Sequence, residues 1–157
     1  MIMQQMLNIA AILDSAGIAH LPSEHGRGNK TDAHIIPLFT WKGQHAGIVI
    51  DCDPGDMKDI CITGHLPATM TEDMEELALL QAINKDNADT VGVQIFTRDG
   101  SVYVRKTVDT TYGIYADIII NAIYDIRDVM NKYKRDARKR GNFPVSESSY
   151  KEANLPT

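Results

Sequence analysis

A chain of 157 residues with 43% hydrophobic and 24% charged side chains has the length and balance of one globular domain. That is enough chain to bury roughly two thirds of the surface its unfolded form exposes, so neither a metal nor a disulfide is needed to hold it. The net charge of −5 argues against nucleic acid, which favours a basic face, and no apolar run approaches the ~20 residues that cross a bilayer.

The first thirteen residues are apolar in part, but Gln4, Gln5 and Asn8 interrupt them and no basic segment precedes them. No signal peptide is expected, and a cytoplasmic location is the expectation. The two cysteines, Cys52 and Cys61, have no CxxC neighbour and are read as reduced thiols that behave as small hydrophobes.

Residues 3–16 predict an amphipathic helix: Met6, Ile9, Ala10 and Leu13 recur at helical spacing, and Gly17 stands where a left-handed residue would end it. A short extended piece, 18–21, follows. Residues 22–33 hold Gly26 and Gly28 among charged side chains without apolar period, the composition of a flexible loop. Three strands are then expected. In 34–41, Ile36 and Leu38 face one way and Ile35 and Phe39 the other, and Pro37, lacking a ladder donor, marks an edge or a bulge. Lys42–Gly43–Gln44 makes a turn, and 45–52 is the second strand, rich in β-branched residues at Ile48, Val49 and Ile50. Pro54 and Gly55 suit the second and third places of a type II turn. The third strand, 57–66, puts Ile60 and Ile62 on one face and Cys61 and Thr63 on the other.

Thr69 with Glu72 three residues on fits a capping box and predicts a helix to about Asn84, with Met74, Leu77, Ala78, Leu80, Ala82 and Ile83 as its apolar positions. A hairpin follows. Val91, Val93 and Ile95 alternate, Asp99–Gly100 turns, and Val102 and Val104 alternate back. Thr110 or Thr111 then opens a long helix to about Arg138, striped by Tyr115, Ile119, Ala122, Ile126, Val129 and Tyr133. Beyond Gly141 the chain has no period and is rich in Ser, Pro and Asn, which predicts a disordered tail. One domain over 1–140 and a tail over 141–157 is the expected organisation.

The resulting order, αβββαββα, with the segments LALLQAIN at 77–84 and RDGSVYVRK at 98–106 and a long striped helix after them, resembles the type III secretion chaperone-like fold. Within that fold it is similar to the YbjN-type group of bacterial proteins, sometimes labelled sensory-transduction regulators. The resemblance implies an α+β domain with an antiparallel sheet of about five strands and helices packed on it. It also implies a dimerising domain that binds protein segments.

The sharpest enzymatic pattern is Ile48-Val49-Ile50-Asp51-Cys52-Asp53-Pro54-Gly55. It is similar to the strand-end aspartate motif of nucleoside hydrolases, in which carboxylates hold a calcium ion that activates water. That motif needs two further aspartates where this chain has Met57 and Lys58, and a lysine would bring positive charge into the cation site. A tight turn with solvated carboxylates is the simpler reading. Asp51, Asp53 and Asp56 also make a poor calcium loop, because they lack EF-hand spacing and its distal glutamate. His20, His25, His34, His45 and His65 show neither i, i+4 nor H-x-H spacing. No G-x-S-x-G elbow occurs, and Gly26–Thr31 lacks phosphate-loop spacing. The basic run Lys132, Lys134, Arg135, Arg138, Lys139 and Arg140 suits a solvated helix C-terminus as well as a phosphate patch.

The expected function is therefore a non-catalytic protein-binding module, chaperone-like or regulatory, acting as a homodimer without a cofactor. Ile36, Leu38, Phe39 and Trp41 are the candidate partner contacts. A metal-dependent hydrolase at Asp51 and Asp53, and a nucleic-acid binder at the basic end of the last helix, are the rival readings. The hairpin and the last helix read as scaffold, which leaves function to the first half of the chain.

Overall fold

The computed structural model describes residues 2–18, 20–21, 34–37, 40–41, 44–45, 47–52, 59–90, 92–141 and 152–153. The expected loop at 22–33 and the turn at 53–56 lie outside the described residues.

The first helix, α1 (Ile2–Ser15), ends as its sequence predicts. Gly17 adopts φ 71°, and the Ile18 N–H donates to the Leu13 carbonyl at 2.9 Å, so the turn closes over the orphan carbonyls. Ile9 and Leu13 are fully buried. The strands are β1 (His20–Leu21), β2 (His34–Pro37), β3 (Thr40–Trp41), β4 (Gln44–His45), β5 (Ile48–Cys52), β6 (Asp59–Leu66), β7 (Gln94–Arg98), β8 (Ser101–Asp109) and β9 (Glu152–Ala153). Six of them form an antiparallel sheet in the order β1-β2-β5-β6-β8-β7, and β4-β3-β9 form a small separate one. The α+β class stands, with one short strand more in the main sheet than expected.

Three expectations need correction. The strand expected over 45–52 is broken: Gly47 sits at φ 67°, and a Cβ there would lie 2.9 Å from the His65 carbonyl oxygen. The glycine lets the chain step between β4 and β5 while its carbonyl still accepts from the His65 N–H at 2.9 Å. Second, Pro37 does not mark an edge. It closes β2 opposite His20, where β2 has no register partner in β5, so the missing N–H costs no ladder bond to β5. The two-residue β1 is the edge instead. Third, the helix after β6 starts late. Ala68–Met70 forms a 3-10 turn, and the Thr71 hydroxyl donates to the carbonyls of Ala68 (3.3 Å) and Gly100 (3.1 Å). This tie to the hairpin turn holds the segment out of helix, and α2 runs Glu76–Asp89 behind Glu75, with no side-chain cap. It buries Leu79, Ile83 and Asp86, whereas Leu77 is 66% exposed and Leu80 43%.

The hairpin follows the sequence closely. Asp99 and Gly100 take φ 53° and 81°, the two positive values a type I′ turn requires, and Arg98 pairs with Ser101. After β8 the Asp109 carboxylate accepts from both the N–H (2.8 Å) and the hydroxyl (2.6 Å) of Thr111. That local turn delays the last helix, and α3 spans Ala116–Lys139. Its buried stripe is Ile119, Ala122, Ile123, Ile126, Met130 and Ala137, with Val129 and Tyr133 partly buried beside it. Tyr115 stays half exposed.

All three helices pack toward one face of the sheet, α3 across β6 and β8, α2 beside β7, and α1 against α3, β2 and β5. The inward residues alternate as the pleat demands: Ile48 and Ile50, Ile60 and Ile62, Val102 and Val104 are all fully buried. Of the tail, only Gly141, Glu152 and Ala153 are described, the last two paired with Trp41 and Thr40; the rest lies outside the described residues.

Candidate functional site

Alternation that buries one face of the sheet leaves a second face to other contacts, and no described helix packs on it. Register across β7, β8 and β6 sets its rows. Phe96 pairs with Tyr103, which pairs with His65. One row along, Gln94 pairs with Arg105, then Thr63, then Val49. Beyond these come Thr107, Cys61 and Asp51, and finally Asp109 opposite Asp59.

The first row is an aromatic ladder. The Phe96 and Tyr103 rings stack at 12° with centroids 5.2 Å apart, and His65 tilts against Tyr103 at 5.0 Å. The Arg105 guanidinium lies over Phe96, 5.0 Å from its centroid, with its Nε buried and without a hydrogen-bond partner. Phe96, Tyr103 and Arg105 are partly buried; His65 is exposed. Planar apolar rings capped by a guanidinium are the side chains most enriched where proteins bind other proteins tightly.

The edge beside this face is closed to strand addition at its centre. The Asn87 side chain, reaching from α2, accepts from the Ile95 N–H at 2.8 Å and donates to the Ile95 carbonyl at 2.8 Å. The amide thereby stands in for one residue of a further strand, which blunts an otherwise open edge.

Of the partner contacts expected from sequence, Leu38 and Phe39 lie outside the described residues. Ile36 and Trp41 are described only as backbone, Ile36 paired with Leu21 and Trp41 with Gln44 and Glu152. Asp51 lies on the helix-free face, paired with His34 and Cys61, while Asp53 and Asp56 are outside the described residues. Among the described residues no three His, Cys, Asp or Glu side chains gather as a metal site would require, and no described helix is long and apolar enough to cross a membrane.

The basic run of α3 is largely turned to intramolecular use. Lys132 bonds Asp86, Arg140 bonds Asp73 at 2.9 Å and the Met70 carbonyl at 2.9 Å, and Lys134 is buried. Burial lifts the Tyr133 hydroxyl far above its ordinary range, and the neighbouring charges of Asp86 and Asp136 add to this. The folded state then holds the proton that the unfolded chain releases, so this contribution is complete below about pH 10 and is lost as pH rises further. Urea denaturation between roughly pH 9 and 11 should show stability falling, and Tyr133→Phe should flatten that fall.

Phe96, Tyr103 and Arg105 belong to the hairpin that sequence reasoning treated as scaffold. The signal was present: Tyr103 stands between buried Val102 and Val104, Phe96 and Arg105 each follow a buried residue, and a two-residue Asp99–Gly100 turn by itself sets Phe96 opposite Tyr103. His65 joins them only through the pairing of β6 with β8.

No family model matches the chain, and no curated protein does. Solved structures resemble it at the level of fold. YbjN from E. coli, described as a candidate transcription regulator, is 14% identical with a TM-score of 0.56, over 87% of this chain and 92% of its own. An uncharacterized protein from Methanothermobacter thermautotrophicus is 17% identical with a TM-score of 0.59, over 86% of this chain and 97% of its own. The fold is thus YbjN-like, as the chain order implies.

Proposed function

We propose that this domain is a non-catalytic protein-binding module, of chaperone-like or regulatory type, whose working surface is the helix-free face of the sheet. One observation carries the reading: the stacked Phe96–Tyr103–His65 row with Arg105 over Phe96, set on rigid strands with no described helix covering it. Side chains on paired strands lose little further freedom on binding, which favours their use as anchors. The description of YbjN as a candidate transcription regulator is compatible with such a role.

Site-specific photocrosslinking in the native cell tests this. Benzoylphenylalanine at position 96 should give discrete protein adducts, and the same probe at position 80, on the exposed side of α2, should not. Tyr103→Asp should suppress the adducts at 96. Adducts at both positions alike, or none at 96, would count against the face as the docking surface.

A further inference from the structure

The helix-free face carries an arginine on each side of its aromatic row. Alternation along β7 puts Arg98 on the same side as Phe96, toward the hairpin turn. Arg105 stands one row the other way, with its guanidinium over Phe96. His65 ends the row on β6. Among the described residues none of these three side chains is in an ion pair, and the Arg105 Nε is buried without an acceptor. Asp99 follows Arg98 in the turn without pairing to it. In a chain of net charge −5 this is a local reversal of sign.

The rings themselves add to it. Phe96 and Tyr103, nearly parallel with centroids 5.2 Å apart, are too close to lie side by side in one plane, so they overlap face to face with an offset. Side chains stand roughly perpendicular to their sheet, so the row turns ring edges outward. Those edges carry the positive end of the aromatic quadrupole, while the negative faces meet each other and Arg105. A nucleobase needs an open ring face to stack on. A carboxylate is drawn to ring edges and guanidinium together. The chain's own carboxylates on this face lie at its far end. Asp51 is two rows from the aromatic row, and Asp59 and Asp109 three, about 14 and 20 Å along the strands. They would repel an acidic segment that ran along the strands and leave one that crosses them undisturbed.

We infer that the face takes an acidic protein segment, laid across the strands along the aromatic row, with its carboxylates held by Arg98 and Arg105. This rests on reading the face as a docking surface and adds the chemistry of what docks. The planar fork of an arginine gives two parallel N–H···O bonds to one carboxylate. Arg105 is already seated on Phe96, so less side-chain freedom is lost when the carboxylate arrives. Apolar side chains between the carboxylates cover the rings and keep water from the ion pairs.

Fluorescence anisotropy on the purified full chain tests this, with a short labelled peptide alternating glutamate and leucine as the probe. The wild type should bind it with a dissociation constant on the order of 100 μM, weakening as salt rises. The same peptide with glutamine for glutamate should bind at least about tenfold more weakly. Arg98→Gln with Arg105→Gln should weaken the acidic peptide by as much. Lys85→Gln with Arg135→Gln, an equal loss of charge at exposed helix positions, should leave it unchanged. Arg98→Glu with Arg105→Glu should exchange the preference for a lysine version of the peptide. Circular dichroism melts establish that the variants are folded; if changes at Arg105 unfold the chain, Arg98→Gln alone should still weaken binding about threefold. Equal binding of the glutamate and glutamine peptides overturns the inference, as does no saturation by ~1 mM or an equal loss in the control variant. A mixed-sequence single-stranded oligonucleotide that binds more tightly, and is lost in the arginine variant, overturns it in favour of a phosphate chain. If the acidic peptide fails while adducts at position 96 persist and vanish in Tyr103→Asp, the carboxylate preference falls and the proposed function stands. If the adducts are absent as well, both fall.

Discussion

Gly64→Val should destabilise the protein by about 3 kcal/mol, among the largest effects available from one surface-neutral change. Gly64 lies mid-strand in β6, between Ile48 and Val104, on the face that α3 covers. A Cβ there would collide with the Met130 sulfur and stand 2.9 Å from the Ile126 Cγ2. Ile126 is fully buried and Met130 is 1% exposed, so neither can withdraw into solvent. Packed interiors transmit such an overlap as a shift of the helix or an off-rotamer side chain. Gly64→Ala should cost less, since Met130 is unbranched and an alanine also gains in strand preference. A double-mutant cycle by urea denaturation checks the cause: Gly64→Ala with Met130→Ala should cost at least about 1 kcal/mol less than the sum of the single changes. Strict additivity would mean that the glycine is not what seats α3.

Asn87→Asp is the second large effect, expected at about 2–3 kcal/mol. The carboxylate can still accept from the Ile95 N–H, but it loses the donor that satisfies the Ile95 carbonyl and sets negative charge against that oxygen. Protonation returns a donor, so the deficit relative to wild type should shrink as pH falls toward about 4. Asn87→Ala removes both bonds and should cost a similar amount without this recovery. The edge of β7 would then present free backbone groups, and faster amide exchange at Ile95 with slow aggregation should accompany the loss. An unchanged exchange rate at Ile95 would rule out the side chain as the cap of this edge.

The legible parts of the fold were those with short-range causes. Gly17 ends α1 because an apolar helix runs into a residue free to turn left. Asp99–Gly100 specifies its turn, and the turn specifies the register of every pair in the hairpin. The boundaries of α2 were misread because the capping pattern at Thr69 is local, while the Thr71 bond to Gly100 that overrides it joins residues far apart in the chain. The exposure of Leu77 and Leu80 went unseen for the same cause, since a helix with apolar residues on several sides does not declare which side meets the core.

For the α+β domain with its YbjN-like order, the sequence alone determined the class, the hairpin and the long last helix, because period and turn chemistry act over a few residues. Only the tertiary structure decided that β6 pairs with β8, which closes contacts across some forty residues and has no local signature. That pairing adds His65 to the Phe96–Tyr103 stack and sets Asp59 across from Asp109. It also decided which face no described helix covers. Three helices supply apolar surface for one side of the sheet, and no described helix packs on the outward residues of the same strands.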